Sequence, residues 1–334
     1  MDLNCIPQFC IGNTPLREDE YLTELFGCSV LIKEEFNSPI GSSSKDRVAY
    51  YMIKEALLNG RLKKGDVVVE ASSGNTGIGL ATLSRTLGLG CKIFVGLSCS
   101  NEKVAFLESL GAEVQRCQNS NGLNDPQSTQ SCARRYSESH QNAYYMNQYD
   151  NPANLKSHYW TTGPEIWEQS NGEVTHFIAG VGTGGTISGT AKYLKKKNPN
   201  VQIYGVEPHG SILSTYLKTG EVVSLAEDYQ SIDGIGRSFI PGNLQVEFID
   251  EIIQVTRNKT IKRIFNYKRD TGLMCGFSSG AVLEASIQKI LPLVMAGDKV
   301  VLLFPDHGTR YMSKFLKEYK KLDYLAEHHN AETV

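Results

Sequence analysis

From residue 45 onward the chain alternates two patterns. Apolar residues at helical spacing mark amphipathic helices, and short runs of branched apolar residues mark strands. Residues 46–59 carry Val48, Ile53, Ala56 and Leu57 and stop at Gly60, as a helix with a glycine C′ residue does. Residues 66–70 form a valine strand, and a helix opens at Asn75 and runs through Ile78, Leu80 and Leu83 toward Gly88. A strand at 92–96, a helix at 102–110 and a strand at 113–116 follow. Residues 118–130, rich in Asn, Ser, Gly, Asp and Pro, break the rhythm as a surface loop. The alternation then resumes with a strand at 176–181, a helix at 187–194, a strand at 202–206, a helix at 282–294 interrupted at Pro292, and an apolar strand at 300–304. From Ala326 the residues are polar and aperiodic, and a frayed end is expected. Helix and strand alternating in this order predict an α/β protein on mainly parallel sheets, and 334 residues are enough for two such domains.

Composition narrows the class without naming a chemistry. Hydrophobic residues make up 40% and charged residues 21%, as in an ordinary globular chain. A net charge of −2 gives no reason to expect nucleic acid as a partner. The basic run Lys195, Lys196 and Lys197 closes a helical stretch, where cations meet the helix dipole favourably and stay solvated. The opening residues lack a basic segment followed by an apolar run, and no later stretch approaches membrane-spanning length. A cytoplasmic protein without membrane contact is expected. Eight cysteines (Cys5, Cys10, Cys28, Cys91, Cys99, Cys117, Cys132 and Cys275) are scattered without a Cys-x-x-Cys pair and read as reduced thiols. No histidine lies near Cys5 and Cys10, so no metal site is expected.

Four loops carry candidate chemistry. In Gly41, Ser42, Ser43, Ser44, Lys45, Asp46, Arg47, small residues deliver a lysine to a helix start. The helix dipole there favours the neutral amine that Schiff-base chemistry needs; a solvated lysine is the plainer alternative. Ala71, Ser72, Ser73, Gly74, Asn75, Thr76, Gly77 lie between a strand and a helix, where backbone N–H groups and hydroxyls can converge on a carboxylate or phosphate. A simple N-cap with a tight turn fits the same residues. Gly182, Thr183, Gly184, Gly185, Thr186 repeat the arrangement as a phosphate cradle, with no lysine following as in a Walker loop and a poor match to the dinucleotide fingerprint. Gly276, Phe277, Ser278, Ser279, Gly280 precede another helix and can present one hydroxyl to a ligand.

In their order these loops resemble the fold type II family of pyridoxal-phosphate enzymes, in its cysteine synthase and cystathionine β-synthase branch. The likeness spans nearly the whole chain. It includes Gly12, Asn13, Thr14, Pro15, Leu16, then Asn147, Gln148, Tyr149, Asn151, Pro152, Ala153, Asn154, His158, Tyr159, then Thr161, Thr162, Gly163, Pro164, Glu165, Ile166, and Asp233, Gly234, Ile235, Gly236. The resemblance implies two three-layer α/β/α domains. Residues 1–38 with 152–325 would form the larger, phosphate-binding one, residues 39–151 a smaller, mobile, substrate-binding one, and 326–334 a flexible tail. It implies pyridoxal 5′-phosphate as cofactor, Lys45 as the internal aldimine lysine, Asn75 on the ring 3′-oxygen, Gly182, Thr183, Gly184, Gly185 and Thr186 around the phosphate, and Ser278 facing the pyridine nitrogen. Ser72, Ser73, Thr76 and Gln148 would receive the substrate carboxylate, and Gly234 with its neighbours would line the entrance. A homodimer and a complex with a serine acetyltransferase are the partners it implies.

A serine opposite the pyridine nitrogen, unlike a carboxylate, does not hold that nitrogen protonated, so the electron sink is weaker. Transamination and racemisation are thereby disfavoured, while loss of the α-proton to Lys45 with departure of a β-substituent stays feasible. The resulting aminoacrylate is attacked by a thiol or sulfide. This predicts β-replacement on serine or an O-activated serine, with cysteine or cystathionine as product. A synthase of another β-substituted alanine fed by O-acetylserine or O-phosphoserine, and a serine or threonine dehydratase, are the alternatives. A cofactor-bound interaction protein and a nicotinamide-dependent dehydrogenase are the rivals from other classes.

The chain departs from the family's Asn-Pro-Gly-Gly-Ser-Val-Lys-Asp-Arg approach, reaching Lys45 from Asn37 by a longer, serine-rich path, and it carries Ala71 and Ser72 where Pro and Thr are common. The segment from Glu207 to Leu213, and Phe304, Pro305, Asp306 with Arg310, Tyr311, Met312, Ser313 and Lys314, resemble cystathionine β-synthases; residues 151–167 resemble O-acetylserine enzymes. Neither the haem-binding extension of animal cystathionine β-synthases nor a regulatory module is expected. Arg237, after Gly236, is an unusual cation at the expected mouth: it either selects an acidic group on one substrate, such as a phosphate, sulfonate or second carboxylate, or lies exposed on a loop.

Overall fold

The structure, a computed structural model, describes residues 11–118 and 125–329. Cys5, Cys10 and residues 330–334 of the expected tail lie outside the described residues, as do residues 119–124 of the expected loop. In chain order the elements are β1 (Leu16–Glu18), α1 (Glu20–Phe26), β2 (Ser29–Glu34), α2 (Lys45–Leu58), β3 (Val67–Ala71), α3 (Asn75–Thr86), β4 (Gly90–Gly96), α4 (Asn101–Ser109), β5 (Glu113–Cys117), α5 (Thr129–Ser139), β6 (Ala143–Tyr145), α6 (Pro152–Ser157), α7 (Gly163–Gln169), β7 (His176–Gly180), α8 (Gly185–Lys197), β8 (Gln202–Pro208), α9 (Leu213–Thr219), β9 (Glu251–Val255), α10 (Arg257–Thr271), α11 (Phe277–Ala285), β10 (Lys299–Phe304) and α12 (Met312–His329).

The strands make two sheets, in the orders β1-β2-β10-β7-β8-β9 and β5-β4-β3-β6. Only β1 pairs antiparallel; every other pairing is parallel. Parallel strands need both faces covered, and the side chains divide accordingly. In β10, Val300, Leu302 and Phe304 join a core with Leu22 of α1, Ile261 and Ile264 of α10, and Val282 of α11, while Val301 and Leu303 point to the opposite core with Ile166 of α7 and Ile187, Ala191 and Leu194 of α8. In β3, Val68 packs toward α2 and α3, and Val69 toward Ala133 of α5. Each sheet therefore lies between two helix layers, the α/β class that the alternation predicted.

Several details differ from the sequence expectation. The helix expected at 282–294 begins earlier, at Phe277, and after Ala285 widens into a π turn over Ser286–Ile290 ahead of Pro292. Helix α5 starts at Thr129, inside the expected loop, with Ser128 accepting from the N–H of Ser131 as its cap. Helix α12 continues to His329, into the segment expected to fray. The short pieces β1, α1, β2, β6, α6, α7, α9 and β9, and the largely polar helix α10, were not singled out in the sequence and appear only in the structure.

A buried ionic network joins the two sheets' helices. Arg47 of α2 is fully buried and forks onto Glu35, with Nε to Oε2 at 2.7 Å and Nη2 to Oε1 at 2.7 Å, and onto Glu165 of α7, with Nη1 to Oε1 at 2.6 Å and Nη2 to Oε2 at 2.7 Å. Lys33 of β2, also fully buried, donates to Glu165 at 2.8 Å and to the Thr14 carbonyl at 2.6 Å; the Thr14 hydroxyl donates to Glu35 at 2.6 Å. Burial works against charge on both glutamates, but Arg47 and Lys33 outweigh it and hold both carboxyls below the ordinary value of 4.5. Glu35→Gln leaves two buried cations, Arg47 and Lys33, to share the single carboxylate of Glu165, with an expected loss of about 3 kcal/mol of stability. A carboxyl depressed by folding adds stability that is present above its unfolded pKa and disappears as pH falls through the folded one. The urea midpoint of the native protein should therefore drop more steeply between about pH 5 and about pH 3 than that of Glu35→Gln; parallel pH profiles would contradict this account.

Candidate active site

Four helices begin around one cavity of about 850 Å³; three of them, α3, α8 and α11, have no side-chain cap on their first N–H groups, while at α2 the Lys45 N–H donates to Ser43 Oγ at 3.3 Å. The N-cap residues of α3, α8 and α11 are Gly74, Gly184 and Gly276, which have no side chain to offer, and Ser44 gives α2 no side-chain bond. Helices that start elsewhere are treated differently. Asp19, Asn151 and Thr256 cap α1, α6 and α10, and the Glu207 carboxylate takes the N–H groups of Leu213 and Ser214 at the start of α9. The positive ends of three helices are thus left to whatever occupies the cavity, which lies beyond the carboxyl ends of β3, β7 and β10.

The loop after β7 is shaped as a cradle. A Cβ on Gly182 would lie 2.3 Å from the Gly234 carbonyl, and Gly184 holds φ at +83°, so side chains are excluded where the backbone must come close. Gly182, Thr183, Gly184 and Thr186 line the cavity; Gly185 does not, its Cα being pressed against Asn154, whose Oδ1 would lie 2.1 Å from an added Cβ. The two threonine hydroxyls are held from behind. Asn154 donates to Thr183 Oγ1 at 2.9 Å, and His158 bridges Thr162 Oγ1 at 2.9 Å and Thr186 Oγ1 at 3.1 Å. Burial, with the charges of Lys45 and Arg47, pushes His158 well below its ordinary pKa, so the imidazole is neutral. An array of N–H and O–H donors without a carboxylate suits a phosphate.

Lys45, the first residue of α2, reaches the cavity with Nζ 3.2 Å from Ser44 Oγ. Its pKa is lowered to about 8, first by burial and also by Arg237, against the attraction of Asp306 and Glu35. The sequence argument rested on the helix dipole; burial is the larger cause. The serine-rich approach to it is folded back by Asp46, whose Oδ2 accepts from the Gly41 N–H at 2.7 Å. Across the cavity, Asn75 donates from Nδ2 to Asp306 Oδ2 at 2.7 Å, and Tyr311 donates to the same oxygen at 2.5 Å. Ser278, in the first turn of α11, is 5% exposed and also lines the wall.

Ser72, Ser73, Thr76 and Gln148 gather at the start of α3. Thr76 donates to Gln148 Oε1 at 2.7 Å, and the Gln148 amide nitrogen, which also bonds Glu70, has a second hydrogen to offer. Glu70, fully buried with a pKa raised by burial to about 7, accepts from the N–H groups of Ala71 at 2.8 Å and Gln148 at 3.1 Å and so fixes both flanks of this pocket. Gly234, at φ +90°, closes the cavity opposite. Arg237 is half-buried over the Tyr149 ring, 5.4 Å from its centroid; Nη1 donates to the Gly236 carbonyl at 2.6 Å, and Nε is buried without a partner among the described residues. The guanidinium forms no ion pair with a described residue. It is neither freely exposed nor neutralised.

Of the residues singled out in the sequence, all but Gly185 therefore meet at one cavity. Asp306, Tyr311, Asn154, His158 and Glu70 had been given no role there. For Asp306 a signal existed: an acid just beyond the carboxyl end of an apolar strand sits where α/β sheets bind ligands. Asn154 and His158 act only through other side chains, which spacing does not reveal. Among the described residues no cluster of three or more His, Cys, Asp or Glu could hold a metal, and no helix is long and apolar enough to cross a membrane.

Pyridoxal phosphate fits this donor set: an uncapped cradle for its phosphate, a half-buried lysine of lowered pKa for its aldehyde, and an asparagine amide between them. Residues 8–306 match the family model described as pyridoxal-phosphate dependent enzyme. The chain is 38% identical to the cystathionine beta-synthase of Apis mellifera over 92% of its own length and 60% of that protein's. It is 36% identical to cysteine synthase 1 of Neurospora crassa, over 95% of this chain and 86% of the relative, and 37% identical to the O-acetylserine dependent cystathionine beta-synthase of Bacillus subtilis, over 92% and 96%. With its cradle, lysine and sequence in agreement, the chain belongs to the pyridoxal-phosphate-dependent enzymes, alongside the cystathionine β-synthases and cysteine synthases.

Proposed function

We propose that the protein catalyses β-replacement on serine or an O-activated serine, adding a thiol or sulfide. The observation that carries this reading is the meeting of Lys45, the uncapped cradle at Gly182–Thr186 and the Ser72, Ser73, Thr76 and Gln148 pocket on one cavity. In it Lys45 is the covalent attachment point of the cofactor, and Asn75, the cradle and Ser278 hold its ring oxygen, phosphate and nitrogen edge. When bound, the cofactor supplies the electron sink that makes an amino acid's α-proton labile. The substrate carboxylate is received at the start of α3 by hydroxyls, the Gln148 amide and the dipole end. Lys45 would be the base placed to take the α-proton. A pKa near 8 leaves a useful fraction of it neutral. Residues 39–151 are read as a mobile unit closing on the substrate, and assembly as a homodimer in the cytoplasm, with a serine acetyltransferase as further partner, comes from the resemblance alone.

Arg237 favours donors with a second acidic group. A half-buried guanidinium with no ion-pair partner is an anion site waiting for a phosphate, sulfonate or carboxylate. The relatives' names leave the choice open, since they include both cysteine synthases and cystathionine β-synthases.

Three measurements test the reading. Offering serine, O-acetylserine and O-phosphoserine with sulfide or homocysteine should yield cysteine or cystathionine by mass; pyruvate and ammonia alone would make the enzyme a dehydratase. Lys45→Ala should lose the visible absorbance of the bound cofactor and turnover together, and uptake of pyridoxal phosphate by the apoprotein should rise through about pH 8 rather than near the ordinary lysine value of 10.5. Arg237→Ala should raise KM for O-phosphoserine roughly tenfold to a hundredfold while leaving O-acetylserine unchanged. An equal effect on both donors would remove the selective role.

A further inference from the structure

Asp306 lies where the starts of three of the four cavity helices come together. It lies two residues beyond the end of β10 and is 1% exposed. The Ser44 N–H, at the start of α2, donates to the neighbouring Pro305 carbonyl at 2.9 Å, and the Gly276 N–H, at the start of α11, donates to the Asp306 carbonyl at 3.2 Å. A Cβ on Gly276 would lie 1.9 Å from Asp306 Oδ1, so the glycine there is what makes room for the carboxylate. The third helix, α3, is reached by the side chain itself, through Asn75 Nδ2 at 2.7 Å from Oδ2. Tyr311 donates to that same oxygen, while Oδ1 is buried without a partner among the described residues.

The two ends of an asparagine amide are alike in shape and opposite in chemistry. A carboxylate only accepts, so it selects the nitrogen end of Asn75 and excludes the flipped orientation, in which two oxygens would face each other. Tyr311 cannot make that selection, because its hydroxyl is committed to Asp306. One Nδ2 hydrogen is thereby used and the amide plane is fixed, with its second hydrogen and its oxygen assigned to definite sides. A phenolic ring oxygen accepts hydrogen bonds when ionised, so an amide of random orientation would meet it repulsively half of the time.

We propose that Asp306 is a positioning residue: by accepting from the nitrogen of Asn75 it fixes that amide as a donor to the ring oxygen of bound pyridoxal phosphate. The inference rests on the reading of the cofactor site given above. Its test is the affinity of the apoprotein for pyridoxal phosphate, followed by quenching of intrinsic fluorescence, for the native protein, Asp306→Asn, Asn75→Ala and the double variant. Asp306→Asn accepts either amide orientation. It should weaken binding roughly tenfold, and it should weaken Asn75→Ala no further, because it acts through that side chain. The visible band of the holoenzyme should shift in its pH titration with Asp306→Asn and not with Tyr311→Phe, which removes the other bond to Oδ2 and serves as the control for a merely structural pillar. Should Asp306→Asn not fold, Asp306→Ser carries the same comparison. Native-like affinity in Asp306→Asn, or losses that multiply in the double variant, would overturn the inference while leaving the cofactor site standing. A native protein that takes up no pyridoxal phosphate would overturn both.

Discussion

The structure depends on where one buried guanidinium is held. Arg47 lies two residues beyond Lys45 on the same helix, with its charge shared between Glu35, which follows β2, and Glu165 on α7. Removing ions from water is expensive, and a buried pair gains little over apolar packing in net stability. What the forked geometry adds is direction: a bidentate pair tolerates one approach only. The first turn of α2 is therefore fixed against the large sheet, although its remaining turns pack on the small one. Lys45 inherits its position from that anchor and its lowered pKa from the burial that the anchor enforces.

Around this fixed point the cavity is made by leaving helix starts unfinished. Capping a helix with Ser, Thr or Asp is worth about 1 kcal/mol, and the chain takes that gain at α1, α6 and α10 but not at α3, α8 or α11. Glycine at these three N-caps forgoes the side-chain bond and leaves the backbone approachable. The same concession appears among buried polar atoms. Asp46 Oδ1, Asn154 Oδ1, Arg237 Nε and Asp306 Oδ1 are unpartnered among the described residues, and all belong to groups that border or support the cavity. A domain core keeps few such atoms, and these four are places where stability is given up beside the cavity.

How much of this was legible in the sequence follows from which interactions are local. The alternation of Val67–Ala71, Gly90–Gly96 and Lys299–Phe304 with helices was readable because strands covered on both faces are apolar throughout. The cavity loops were readable because a glycine cluster between a strand and a helix has few uses. Asp306 could be suspected from its place after an apolar strand, but its role could not be read, because its partners, Asn75 and Gly276, meet it only in the folded chain. The π turn after Ala285 was equally hidden, since one extra residue in a helix leaves its apolar pattern almost unchanged. The expectation for Lys45 rested on the helix dipole, a local property, whereas the burial that lowers its pKa is a tertiary one.

Arg237 shows how far electrostatics couples these parts. Its charge lowers the pKa of Lys45, while Asp306 raises it, so the lysine's proton is balanced between a cation at one wall and an anion at the other. An acidic substrate group that neutralises Arg237 removes one side of that balance and strengthens the hold on the lysine proton. On the proposed reading, a donor matched to the guanidinium would also make Lys45 a weaker acid once it had taken the α-proton. Such a site would gain in substrate capture and in proton retention from the same contact, and a neutral donor would gain in neither.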